Sequence, residues 1–137
     1  MKIHKKSFGV ILTGWALIVL GIGSLIHPLL NFQNFKHNFF DLYHSSLQLV
    51  WVISTAILIG YVVGGFKILR QEEFGKSLVV FLAIIDIPHL VVGRVIYSNL
   101  GLQPLYLRNA SLITAGIIIN LVLIHFLNHP KVRKQFS

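Results

Sequence analysis

The sequence contains no cysteine among its 137 residues, and it carries only four acidic residues against twelve lysines and arginines. Without cysteine, disulfide bonds and thiolate chemistry are excluded, and a metal site would need histidine and carboxylate ligands. The sequence also lacks a Gly-x-Ser-x-Gly nucleophile motif and a glycine-rich phosphate-binding loop. These absences predict a protein that is not an enzyme, and nothing in the sequence requires a cofactor.

Apolar residues dominate the rest of the chain. Hydrophobic residues make up 55% and charged residues 12% of the sequence, and the mean hydropathy is +0.75. About 20 apolar residues in a helix cross a hydrocarbon core of about 30 Å. Four segments meet this length, at about residues 8–28, 42–66, 77–98 and 109–128. The sequence therefore predicts an all-α fold: one transmembrane domain over residues 1–137, a four-helix bundle in up-down-up-down order.

The positive charges are placed unevenly along this layout. Nine of them fall on one side of the membrane: Lys2, Lys5, Lys6, Lys67, Arg70, Lys76, Lys131, Arg133 and Lys134. Lys36 and Arg108 fall on the other side, and Arg94 lies near that end of the third helix. The positive-inside rule then predicts two cytoplasmic termini in a multi-pass protein of the cell membrane. Anionic lipid headgroups, rather than nucleic acid, are the expected partners of this charge.

The first helix follows the basic start MKIHKKS, which could open a signal peptide. Its apolar run is long for a signal peptide, and SLIHPLL offers no small-x-small cleavage site. We therefore expect the first helix to be retained.

Polar residues recur at three- and four-residue steps within three of the apolar segments. Such spacing places them on one face of a helix, and polar groups at membrane depth need protein partners. The second helix carries His44, Gln48, Trp51 and Thr55 opposite Gly60 and Gly64; the third carries Asp86, His89, Gly93 and Tyr97; the fourth carries Asn109, Gly116 and Asn120. We expect the three polar stripes to face a shared interior.

The depth of each titratable residue follows from its position in its helix. Asp86 is expected close to the midplane, with His89 one turn further outward. His27, Asp41 and Arg94 are expected at the outer boundary, as interfacial residues. Asp86, His89, His44, Gln48 and Asn120 are therefore the intramembrane candidates for a functional site.

Four interpretations of Asp86 and His89 remain open. Asp86 could be protonated or paired with His89, and its hydrogen bonds could serve only to fix helix packing. They could be the titrating steps of a proton or ion relay, with Pro88 loosening the helix between them. His27, His44 and His89 could together ligate a metal or haem, or bind a quinone. A lipid or another amphiphile could lie between the helices, with Arg94 near its headgroup.

Two further stretches resemble known proteins. The turn VVGGFKILRQEEFGKSLVVFLAI and the ending HFLNHPKVRKQF are similar to those of small four-helix bacterial membrane proteins of uncharacterised function. The resemblance implies a four-helix membrane fold, and it implies no activity and no site residues. In the ending, basic residues alternate with Val132 and Phe136, which predicts a segment at the level of the lipid headgroups.

The leading functional prediction is a non-enzymatic membrane protein that binds or organises lipid or protein partners. A small proton- or ion-coupled transporter based on Asp86 and His89 is the main alternative. A bundle of 15.5 kDa is small for enclosing a pathway alone, which leaves a homo-oligomer open.

Overall fold

A computed structural model describes residues 7–30, 45–99 and 110–136. Five helices occupy these ranges: α1 (Phe8–Leu30), α2 (Ser45–Leu69), α3 (Glu73–Asn99), α4 (Ala110–Asn128) and the short α5 (Pro130–Arg133). No strand occurs among the described residues. The four long helices each contain 18 residues or more of sequence apolar enough to cross a membrane. The predicted fold class, an all-α transmembrane bundle, is confirmed.

The helices extend beyond their predicted bounds at several ends. α1 continues past Pro28 to Leu30, and α3 runs without interruption through Pro88. α3 also begins at Glu73, one turn before the predicted start, because the amides of Gly75 and Lys76 donate to the carbonyl of Glu72. An acid in this first turn is stabilised by the positive end of the helix dipole.

Neighbouring helices are antiparallel, as their contacts show. Along each pair, a rising residue number on one helix meets a falling number on the next. The contacts are Gly14 with Leu69 and Gly21 with Val62 for α1 and α2; Gly60 with Leu82 and Gly64 with Val79 for α2 and α3; and Asp86 with Asn120 and Leu90 with Gly116 for α3 and α4. The up-down-up-down order is therefore confirmed.

The long helices pack through narrow seams of residues spaced three or four apart. In α2 the seam that faces α3 and α4 is Val50, Ser54, Ile57, Tyr61, Gly64 and Ile68, and most of these residues are buried. In α3 the seam includes Val79, Ala83, Asp86 and Gly93. Such spacing keeps one side of a helix against its antiparallel neighbour, as in a coiled coil. The remaining surface is apolar and exposed, as lipid contact requires.

The turn between α2 and α3 closes α2 with a Schellman motif. Gln71 donates its amide to the carbonyl of Ile68, Glu72 donates to Lys67, and Gln71 has a φ of 59°. This left-handed conformation usually belongs to glycine. Side chains also join across the turn, since Lys67 Nζ lies 2.6 Å from Glu72 Oε2. The turn therefore holds the start of α3 directly beside the end of α2.

The segment after α4, which was predicted to lie at the level of the lipid headgroups, folds back onto the end of the bundle. Val132 and Phe136 are buried in the same apolar cluster as Val10, Ile68 and Leu127, and Phe136 is only 2% exposed. The amide of Ser7 donates to Gln135 Oε1 at 2.9 Å. The depth of this segment in the membrane stays a prediction, but its apolar side chains pack against the protein. Residues 129–136 therefore form a cap, here called the terminal cap.

Candidate functional site

A chain of hydrogen bonds crosses the middle of the bundle. The Tyr61 hydroxyl, from α2, donates to Asn120 Oδ1 at 3.0 Å, and Asn120 Nδ2, from α4, donates to Asp86 Oδ2 at 2.8 Å. Asn120 and Tyr61 are buried, and Asp86 is half-buried at the middle residue of α3. Both donated bonds run in one direction, towards the carboxyl group. Three helices therefore meet in a single polar contact at membrane depth.

His89 has a separate partner on α2. Its Nε2 shares a hydrogen bond of 2.7 Å with the Ser54 hydroxyl. The hydrogen bonds of Asp86 and His89 thus run to different residues on neighbouring helices: Asp86 accepts from Asn120 on α4, and His89 pairs with Ser54 on α2. Both bonds join helices, as the packing interpretation requires.

Part of the predicted polar stripe on α2 does not face the bundle interior, while His44 lies outside the described residues. Gln48 and Thr55 are exposed, and the Thr55 hydroxyl donates to the Trp51 carbonyl of its own helix. The interior-facing polar residues of α2 are Ser54 and Tyr61. They belong to the same seam as Gly64, the residue that the sequence pattern placed on the opposite side.

The position of Gly64 in the sequence could have indicated Ser54 and Tyr61, the two polar residues that the sequence prediction missed. Counting back from Gly64 in steps of three and four gives Tyr61, Ile57 and Ser54. Small residues allow two helices to approach closely, and an interhelical hydrogen bond needs this close approach. Polar partners therefore belong in the small-residue seam and not across the helix from it.

The structure describes only some of the other predicted site residues. Arg94 is half-buried on α3. His27 lies in α1, but its side chain is outside the described residues, as are Asp41, His44 and Asn109. The interpretation of a metal, haem or quinone site built on these histidines therefore stays a prediction. Within the described part of the chain, no group of three histidines or acids is placed to hold a metal ion.

Two histidines near the end of α4 form a pair that the sequence pattern did not reveal. The rings of His125 and His129 lie 6.4 Å apart and meet edge to face. His129 Nδ1 accepts the amide of Lys131 at 3.3 Å and caps the start of α5. His129 therefore acts in the backbone turn at the start of the terminal cap.

A cavity of about 330 Å³ opens between the start of α3 and the terminal cap. Glu73, Pro130, Arg133, Lys134 and Phe136 line it. Glu73 also contacts Lys76, whose Nζ lies 3.4 Å from Glu73 Oε1 and whose side chain is buried. The cavity thus combines one acid, two bases and an apolar floor.

This end of the bundle, here called the basic end, carries most of the charged residues that the structure describes. Six basic residues (Lys67, Arg70, Lys76, Lys131, Arg133 and Lys134) and two acids (Glu72 and Glu73) lie in the α2–α3 turn, the first turn of α3 and the terminal cap. Six minus two leaves a net charge of four positive units. The segment of α3 that is long and apolar enough to cross a membrane begins at Glu73, so the cavity lies at one end of the apolar region.

The fold and these two polar regions define the chain as a multi-pass helical membrane protein. Comparison with protein-family models, with curated proteins and with solved structures finds no match. The site therefore has to be interpreted from its own geometry.

Proposed function

We propose that this chain is a non-enzymatic membrane protein that binds phospholipid headgroups at its basic end. The observation that carries the proposal is the cavity lined by Arg133 and Lys134 at the edge of the membrane-crossing region. The basic end then lies at the cytoplasmic face of a bacterial-type cell membrane, in keeping with the positive-inside rule and with the resemblance of its turn and ending.

The charge of the basic end supports this function. Anionic lipids attract basic segments by about 1 kcal/mol per lysine or arginine close to the surface. Arg133 also offers a planar fork of N–H donors, which suits a phosphate group. Arg133 and Lys134, which line the cavity, are both exposed. A lipid phosphate can therefore reach these side chains without any helix moving.

Thermal unfolding of the purified protein in detergent, with and without added phosphatidylglycerol, tests the proposal. We expect the lipid to raise the unfolding temperature of the wild type, because a ligand that binds only the folded state stabilises it. The double variant R133Q/K134Q should lose most of this increase. Lys131→Gln is the matched control, since Lys131 is exposed on the same segment but does not line the cavity. Equal stabilisation of wild type and double variant would contradict the proposal.

A proton- or ion-coupled carrier is the second candidate function. The chain from Tyr61 through Asn120 to Asp86 supports it, because it gives a carboxyl group polar partners at membrane depth. An ionisable residue in this position is expensive in lipid and is a functional candidate for that reason. His89 and Ser54 supply a second polar pair one turn away.

Proton flux into liposomes tests this second function. If Asp86 carries the proton, Asp86→Asn should abolish the flux while the helix content stays unchanged. A hydrophobic carbodiimide should also label Asp86 in the wild type, since the reagent reacts with protonated carboxyl groups in apolar surroundings. A flux that persists in the variant, or no flux in the wild type, would rule the carrier out.

A further inference from the structure

The cavity at the basic end contains charges of both signs. Arg133 and Lys134 come from the terminal cap, and Glu73 comes from the first turn of α3. Lys76 reaches Glu73 Oε1 at 3.4 Å, which is longer than a strong charge-assisted hydrogen bond. The Glu73 side chain is 65% exposed, so its carboxylate is accessible to a ligand.

This mixture of charges discriminates between headgroups. A purely anionic headgroup would be attracted by the two bases and repelled by Glu73. A headgroup that carries both a phosphate and an ammonium satisfies both sides. A primary ammonium can also donate hydrogen bonds to the carboxylate, whereas a trimethylated ammonium has no N–H to donate.

The volume of the cavity also fits a headgroup. At about 330 Å³ it is at the lower end of the range for small-ligand pockets. A phosphate and a two-carbon amine fit this space, while a whole lipid does not. The acyl chains would stay in the bilayer beside the exposed apolar faces of the helices.

We propose that the cavity binds the phosphoethanolamine headgroup of a membrane lipid, with Arg133 and Lys134 on its phosphate and Glu73 on its ammonium. This proposal rests on the proposed lipid-binding function and names the class of lipid. It assigns Glu73 a role in specificity that the overall positive charge of the basic end would not require.

Three lipids with identical acyl chains test the proposal: phosphatidylethanolamine, phosphatidylglycerol and phosphatidylcholine. Native mass spectrometry of the full chain, released from micelles that contain equal amounts of each, measures the bound fraction. We expect the wild type to retain phosphatidylethanolamine several-fold over the other two. Glu73→Gln should remove the preference over phosphatidylglycerol. Glu72→Gln is the matched control, because Glu72 pairs with Lys67 and does not line the cavity.

Each outcome decides between the two proposals. If the wild type retains equal amounts of phosphatidylglycerol and phosphatidylethanolamine, the assignment of the ammonium to Glu73 is wrong. This result does not depend on whether the Glu73→Gln variant folds. If Glu73→Gln still prefers phosphatidylethanolamine over phosphatidylglycerol, the assignment of the ammonium to Glu73 is also wrong. If R133Q/K134Q binds all three lipids like the wild type, lipid binding at the cavity itself is wrong. Soluble phosphoethanolamine is added in a parallel experiment, and thermal stabilisation by it but not by the lipid would overturn the membrane source.

Discussion

Asn120 donates to Asp86 and accepts from Tyr61, so one amide on α4 joins the carboxyl of α3 to the hydroxyl of α2. An asparagine amide can do both at once, because its nitrogen donates and its oxygen accepts. Asn120 is therefore the centre of the network, although Asp86 is the acidic member of the three.

Replacing Asn120 should destabilise the bundle more than replacing Asp86. Asn120→Leu removes two interhelical hydrogen bonds, each worth roughly 0.6 to 2 kcal/mol in membrane proteins, so we expect a loss of about 1 to 4 kcal/mol. Asp86→Asn should change stability less, since the new carbonyl can still accept from Asn120. Unfolding in mixed micelles measures both changes. Asn128→Leu is the control, because Asn128 is exposed and bonds only to the Ile124 carbonyl of its own helix among its described contacts.

If the hydrogen-bond network does not stabilise the bundle, the variants should rank differently in their loss of stability. If Asn120→Leu were as stable as the wild type, or less damaging than Asn128→Leu, the polar chain would contribute nothing to the packing of the three helices.

Ser54 and Thr55 offer a direct comparison between interhelical and local hydroxyl bonds. Ser54→Ala removes the partner of His89 and should cost roughly 0.6 to 2 kcal/mol of stability. Thr55→Ala should have little effect, because its hydroxyl bonds to its own backbone on an exposed face. A double-mutant cycle between Ser54→Ala and His89→Ala isolates the pair energy. A coupling energy near zero would show that the 2.7 Å contact is not stabilising.

Gly65 lies at a close approach between α1 and α2. A methyl group added there would meet the Gly14 carbonyl oxygen at 2.7 Å, and neither backbone can yield without moving a helix. We expect Gly65→Ala to destabilise the α1–α2 pair by about 1 to 3 kcal/mol, the usual range for overpacking. Gly23→Ala is the control, because a methyl group added at Gly23 would meet nothing within 4 Å. Thermal unfolding of the two variants should therefore differ, and equal melting temperatures would contradict this packing.

Phe136 should contribute more to stability than its position near the end of the sequence suggests. Phe136→Ala removes a buried ring, and this change typically costs about 3 to 5 kcal/mol in protein cores, so we expect a loss of about 3 kcal/mol. Phe74→Ala is the matched control at the same end of the bundle, since Phe74 is 63% exposed. Limited proteolysis after residue 129 gives a second measurement, and the Phe136 variant should be cut faster. Equal protection of both variants would mean that the terminal cap is not docked.

The sequence predicted the helices well because a run of about 20 apolar residues has one stable form in a membrane. It also predicted Asp86, His89 and Asn120 as intramembrane candidates, since polar residues are rare there. It failed on α2, where Gln48 and Thr55 were chosen over Ser54 and Tyr61. Both sets have helical spacing, and only the contact of Gly64 with Val79 selects the correct face.

The terminal cap shows a different limit of the sequence. Alternating basic and apolar residues suit a headgroup-level segment, but they do not reveal whether its apolar side chains face lipid or the bundle end. The choice depends on tertiary contacts, namely the apolar pocket formed by Val10, Ile68 and Leu127. The cavity beside Glu73 exists only because of this fold, so no sequence motif could have indicated it.

The bond between Ser7 and Gln135 joins residues 128 positions apart. At a synthesis rate of about 5 to 20 residues per second, roughly 6 to 25 seconds separate the appearance of its two halves. During this interval α1 is already in the membrane, but the residues that tie it to the terminal cap have not left the ribosome. Insertion and closure are therefore separate events in biosynthesis, and a nascent chain that stops before Gln135 would present an unsealed bundle to the quality-control proteases of the cell.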